Sequence, residues 1–173
     1  MTIAIVPAAG SGRRLKAREK KPFIILGGKP LIAHVLKALG SSKYIDGIIV
    51  AVEALFIERL KGIITKYGLK KIVKVVRGGK DRGQSVRNCF NAVNKHCNIV
   101  LIHDGARPFL QDKMIRDCIE AAKKFGACIT AIPATDTIKL ADKSLFIKDT
   151  LDRRYIWRAQ TPQAFRYGIL KRS

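Results

Sequence analysis

Acidic side chains are scarce in this 173-residue chain: 13 Asp and Glu stand against 34 Lys and Arg, a formal charge of +21. That balance suits a nucleic-acid binder, a ligand of acidic membrane surfaces or an enzyme for small anions, and decides little by itself. Aromatics are also few, 7% of residues, and do not interleave with the basic ones as they do on nucleic-acid surfaces. This argues against nucleic acid as the partner. The four cysteines (Cys89, Cys97, Cys118, Cys128) form no Cys-x-x-Cys pair and the three histidines (His34, His96, His103) are scattered, so no zinc site is written in the spacing. No apolar run approaches membrane-spanning length, and the N-terminal one breaks at Pro7 and Gly10, so neither a span nor a signal peptide is expected. Free thiols in a reducing cytoplasm are the expected state. A chain of this length suits one domain with a real core.

What is present is most distinctive at the start. The apolar run Ile3-Ala4-Ile5-Val6 reads as a buried strand and leads into Pro7-Ala8-Ala9-Gly10-Ser11-Gly12. Arg13, Arg14, Lys16, Arg18, Lys20 and Lys21 follow, with Glu19 the only acid among them. Small residues expose backbone N–H groups and dense positive charge follows them, which points to a polyanion such as a nucleoside triphosphate. The loop matches neither the P-loop nor the dinucleotide fingerprint, because it lacks Gly-Lys-Ser/Thr and a third glycine. A plain strand-to-loop turn with a solvated charged face is the competing reading.

Further strands are expected over 48–52, 72–76, 99–102 and 128–133. The helices expected between them begin after Pro30, near Leu55 and after Asp81, with another over 111–125. Gly40 is expected to stop the first helix. Asp81 is expected to cap a helix whose apolar face is Val86, Cys89, Phe90 and Val93. This alternation predicts an α/β fold with a parallel sheet covered on both faces. Ligands then bind beyond the carboxyl ends of strands, after Val6, Val76 and Ile102. Asp104, at the last of these ends, suits either a Mg²⁺ ligand or an ion pair with Arg107. Residues 135–150 read as a hairpin too small to be stable alone, needing a partner subunit or remaining a solvated edge.

Several strings together resemble a family. Pro-Ala-Ala-Gly-x-Gly-x-Arg at the first loop, Gly78-Gly79-x-x-Arg82-x-x-Ser85-Val86, His103-Asp104-x-Ala106-Arg107-Pro108, Pro-x-x-Asp136-Thr137-Ile138-Lys139 with Thr-x-Asp152-Arg153, and Gln160-Thr161-Pro162-Gln163-x-Phe165 are similar to those of the 2-C-methyl-D-erythritol 4-phosphate cytidylyltransferases, within the sugar-phosphate nucleotidyltransferases. The resemblance implies a Rossmann-like three-layer α/β/α nucleotidyltransferase fold, mostly parallel, with a projecting hairpin arm over about 135–153 that builds a homodimer. It also implies transfer of a cytidylyl group from CTP to the sugar-alcohol phosphate, with release of pyrophosphate.

By the same resemblance, Ala8, Ala9, Gly10 and Gly12 hold CTP, and Gly79, Lys80 and Ser85 meet its base while Arg82 braces the turn. Asp104 would carry Mg²⁺ or another divalent cation. Gly105, Arg107, Thr137 and Arg153 would hold the acceptor, Thr137 and Arg153 from across the dimer. Arg14, Lys21 and Arg153 would be catalytic, and the Gln-Thr-Pro-Gln string mainly structural. The reaction needs no general base, since the acceptor phosphate is already anionic; alignment and charge neutralisation suffice.

Two features depart from the family pattern. Pro-Lys-Gln reads Lys20-Lys21-Pro22 here, making Lys20 a rival of Lys21. The chain also stops before the family's Thr-Asp-Asp/Glu and Asn-x-Lys-Ile/Val-Thr segments, so a single domain, 1–173, incomplete at its C-terminus, is expected. Alternatives are a cytidylyltransferase for ribitol 5-phosphate or another polyol phosphate, an inactive nucleotide-binding fold, or a basic RNA-binding module.

Overall fold

Strand β1 (Thr2–Pro7) is buried along most of its length because its residues serve two cores at once. In the computed structural model, which describes residues 1–10 and 19–172, Ala4 and Val6 point into one core and Ile3 and Ile5 into the other. The order of the main sheet is β5 (Ile72–Arg77), β4 (Gly47–Val52), β1, β6 (Ile99–Ile102), β10 (Trp157–Arg166) and β7 (Ala127–Pro133). The first four run parallel, and β10 runs antiparallel to both β6 and β7. One face is covered by α1 (Leu31–Ser41), α2 (Ile57–Lys66) and α4 (Asp112–Phe125); the other by α3 (Arg82–Phe90) and α5 (Tyr167–Arg172). This is the three-layer α/β architecture that alternating strands and amphipathic helices dictate.

Local chemistry sets the element ends. Pro30 precedes α1, and Asp81 accepts the Gln84 N–H at 2.8 Å to cap α3 as its position predicts. α1 runs through Gly40 to Ser41 rather than stopping there. β2 (Ile25–Leu26) and β3 (Lys29–Pro30) close a small ribbon through Gly27 and Gly28, whose φ angles of 54° and 75° suit a residue without Cβ.

β10 is the element the sequence hides. Pro162 in a polar run argues against a central strand. The structure accommodates it at a break: pairing on β7 jumps from Ala159 to Gln163, and pairing on β6 starts at Gln163. β8 (Ile138–Ala141) and β9 (Ile147–Leu151) form a separate two-stranded hairpin with Leu140, Phe146 and Ile147 exposed.

Candidate active site

The chain leaves β1 toward α1 and β4 on one side, and returns to β6 on the other, so the topology reverses between β1 and β6. A cleft of about 470 Å³ opens at that point, where open α/β sheets bind ligands. The loops after β1, β5 and β6 crowd together there. A Cβ on Gly78 would lie 2.1 Å from the Ala9 Cβ, and one on Gly105 would lie 2.8 Å from the Ala8 Cβ. The Ala-Ala pair and these glycines therefore let the loops touch one another. Gly10, with nothing within 4 Å of such an atom among the described residues, is the position left open to a ligand.

Charge converges on one carboxylate. Asp104, part-buried after β6, accepts from Arg82 Nε at 2.9 Å through one oxygen and from Arg107 Nε at 3.1 Å through the other. Lys21 completes the lining, and Asp104 is the only acid in it among the described residues. Three cations around one acid leave an excess of positive charge for an anion. The Asp104–Arg107 pair anticipated in the sequence is thus formed, together with a second one. Arg82 ties its turn to the end of β6 through Asp104 and also reaches Gln163 Oε1 at 3.3 Å.

Beneath the arginines lies a buried polar chain. His103 Nε2 faces the Arg107 carbonyl at 3.0 Å; a carbonyl only accepts, so Nε2 carries the proton. Nδ1 then accepts from the Thr161 hydroxyl at 3.1 Å. Thr161 Oγ1 in turn accepts the Asp104 N–H at 3.4 Å. Burial holds the His103 ring below its ordinary pKa, in keeping with a neutral ring. Thr161 and His103 are both buried, so the pair is a scaffold and not a nucleophile with its base. Gln160 accepts from Arg107. The break in β10 thus aims Gln160, Thr161 and Gln163 at the residues around the cleft.

Comparison with known proteins fits this geometry. The sequence model of the family "2-C-methyl-D-erythritol 4-phosphate cytidylyltransferase" (IspD) matches residues 2–173. The chain belongs to that family. The cytidylyltransferase of Alkaliphilus metalliredigens is 44% identical over 170 residues, covering 98% of this chain and 70% of the relative. That of Clostridium acetobutylicum is 43% identical over 173 residues, covering 99% and 75%. The crystal structure of 4-diphosphocytidyl-2C-methyl-D-erythritol synthase from Anaerococcus prevotii superposes with a TM-score of 0.84 at 31% identity, over 98% of this chain and 72% of that one. The chain spans about seven-tenths of the length of such IspD relatives.

The IspD strings fall unevenly on the site. Ala8, Ala9, Gly10, Lys21, Ser85, Asp104, Gly105 and Arg107 all line the cleft. Gly12 and Arg14 lie outside the described residues. Gly79 and Lys80 line an adjoining hollow of about 570 Å³ with Leu55 and Gln84. Their N–H groups are engaged within the turn: Gly79 donates to Ser85 Oγ at 3.0 Å and Lys80 to Gln84 Oε1 at 2.9 Å. Thr137 and Arg153 do not line the cleft of their own chain; both are exposed, and Arg153 donates to the Thr135 carbonyl at 3.0 Å. Lys20, the rival of Lys21, is paired with Glu53 at 2.7 Å.

The Gln-Thr-Pro-Gln string, taken from sequence as mainly structural, supplies direct partners to Arg107, His103 and Arg82. The signal was its run of hydrogen-bonding side chains around a proline. Among the described residues no cluster of three His, Cys, Asp or Glu forms. A metal held by Asp104 would therefore take its other oxygens from phosphate and water, which suits Mg²⁺.

Proposed function

We propose that the cleft between β1 and β6 is where this chain transfers the cytidylyl group of CTP to 2-C-methyl-D-erythritol 4-phosphate. Arg82 and Arg107 paired to Asp104, with Lys21 lining the same cleft beside Gly10, carry the assignment. The triphosphate lies against Ala8, Ala9 and Gly10, with Lys21 on its charge. An oxygen of the acceptor phosphate attacks the α-phosphorus; a P–O bond forms, the bond to the β-phosphate breaks, and pyrophosphate leaves with the electron pair. Negative charge grows on the α-phosphoryl oxygens and the leaving group, and fixed cations meet it without reorganising. Asp104 is the residue to hold Mg²⁺, which when bound would neutralise phosphate charge. Arg107 and Gly105 stand at the acceptor side.

The cytosine lies over the turn at Gly79, Lys80 and Ser85, whose internal hydrogen bonds it exchanges for its own. A homodimer follows from the same assignment. Thr137 and Arg153 lie off their own cleft, and the hairpin leaves Leu140, Phe146 and Ile147 uncovered. A second copy would cover those side chains and bring Thr137 and Arg153 to the acceptor. The described cysteines are free thiols, in keeping with the cytoplasm. No described helix is long and apolar enough to cross a membrane.

Pyrophosphate release from CTP with 2-C-methyl-D-erythritol 4-phosphate, ribitol 5-phosphate and no acceptor tests the assignment. Turnover with the first alone is expected. Preference for another polyol phosphate, or release that Lys21→Ala and Asp104→Asn leave untouched, would overturn it.

A further inference from the structure

The segment carrying Lys21 is fastened at three neighbouring residues to one short stretch, 53–59, between the end of β4 and the first turn of α2. Glu19 takes a two-pronged contact from Arg59, at 3.0 and 2.8 Å. Lys20 Nζ meets Glu53 Oε1 at 2.7 Å, with both side chains about one-third exposed (32% and 34%). Phe23, fully buried, stacks on Phe56 with ring centroids 5.1 Å apart and lies 4.6 Å beneath the Arg59 guanidinium. Between these fastenings, Lys21 and Pro22 line the cleft instead.

We propose that Glu53 and Arg59 are positioning residues for Lys21, forming a latch that fixes where its ammonium stands. The proposal rests on the assignment of Lys21 to the triphosphate. Lys20 is extended, at φ −64° and ψ 133°, and Lys21 opens the 3-10 turn Lys21–Phe23, so the two side chains leave the backbone in different directions. Holding Lys20 on Glu53 therefore commits Lys21 to the cleft. Pro22 follows Lys21, so no proline ring fixes φ at Lys20 and the ion pair with Glu53 supplies the restraint there. Exposed ion pairs contribute little to stability, which makes kinetics the place to see the latch.

The test compares Lys20→Glu, Glu53→Lys, the exchange Lys20→Glu/Glu53→Lys, and Lys21→Ala, each assayed for kcat/KM toward CTP and for melting temperature. If only the local field mattered, Lys20→Glu would weaken use of anionic CTP and Glu53→Lys would improve it. A latch predicts that both lower kcat/KM, by about tenfold. The exchange should then recover most of the loss, with melting temperatures unchanged within about 2 °C. Effects of opposite sign, single variants at the parental rate, or an exchange enzyme as slow as the singles would each overturn the latch. Lys21→Ala separates the two levels. If it is slow while the latch variants are not, only the latch fails; if it keeps the parental rate, the assignment of Lys21 fails and the latch with it.

Discussion

Lys20 and Lys21 are neighbours in the chain with different partners: Lys20 closes a 2.7 Å ion pair with Glu53, and Lys21 lines the cleft beside Gly10 and Asp104. Two consecutive lysines that sequence leaves as rivals are separated by one carboxylate 33 residues away from the first.

Lys21→Ala is expected to lower kcat by about a hundredfold, on the order of 3 kcal/mol of barrier, because a preorganised charge is lost. Lys21 is exposed, so the melting temperature should hold. Steady-state kinetics beside a thermal scan check both halves; a large loss of stability with normal turnover would reverse the assignment.

Asp104→Asn removes the charge that both arginines share, leaving Arg82 and Arg107 with an uncompensated neighbour. Turnover should fall, and the dependence of rate on Mg²⁺ concentration should shift upward. Stability should change by only about 1 kcal/mol, since the pair is partly solvated. A Mg²⁺ titration of the variant and its parent provides the check.

The glycines of the loops divide into two kinds. Gly78→Ala places a Cβ 2.1 Å from the Ala9 Cβ, an overlap between well-packed loops, and should destabilise by about 1–3 kcal/mol in urea. Gly10→Ala meets nothing within 4 Å among the described residues and should leave folding intact while weakening CTP binding. Equal unfolding midpoints for the two variants would contradict this division.

The helices and parallel strands were legible because the 3.6-residue apolar period of the helices and the short continuous apolar runs of the doubly covered strands are local properties of the chain. The apolar runs ending at Val6, Val76 and Ile102 are followed within a few residues by glycine, so the three site loops could be found without a structure. β10 could not, because Pro162 breaks the pattern of a central strand and only the long-range pairing of Gln163 with Ile102 reveals one. The distant partners of the arginines were equally hidden: Arg82 finds Asp104 22 residues away and Arg107 finds Gln160 53 away, distances over which spacing carries no signal, whereas the local Asp104–Arg107 pair could be anticipated.

His103 predicts a pH dependence of stability. Burial holds its native pKa below the ordinary value near 6.5, so the unfolded chain binds the extra proton first as pH falls. Stability contributed by the neutral ring is complete above about pH 7 and declines as pH drops through about 6.5 toward the native pKa. The melting temperature should therefore fall between about pH 7 and pH 5.5, and His103→Gln should flatten that slope. Thr161→Val, which leaves Nδ1 without its donor, should cost about 1–2 kcal/mol at neutral pH.

The most direct test of the central claim is a crystal structure with CTP and Mg²⁺ bound. The account predicts phosphate density against Ala8, Ala9 and Gly10, with the Lys21 ammonium on the triphosphate and a metal between it and Asp104. Nucleotide held elsewhere, with the space between β1 and β6 empty and Asp104 still clasped by Arg82 and Arg107, would contradict it.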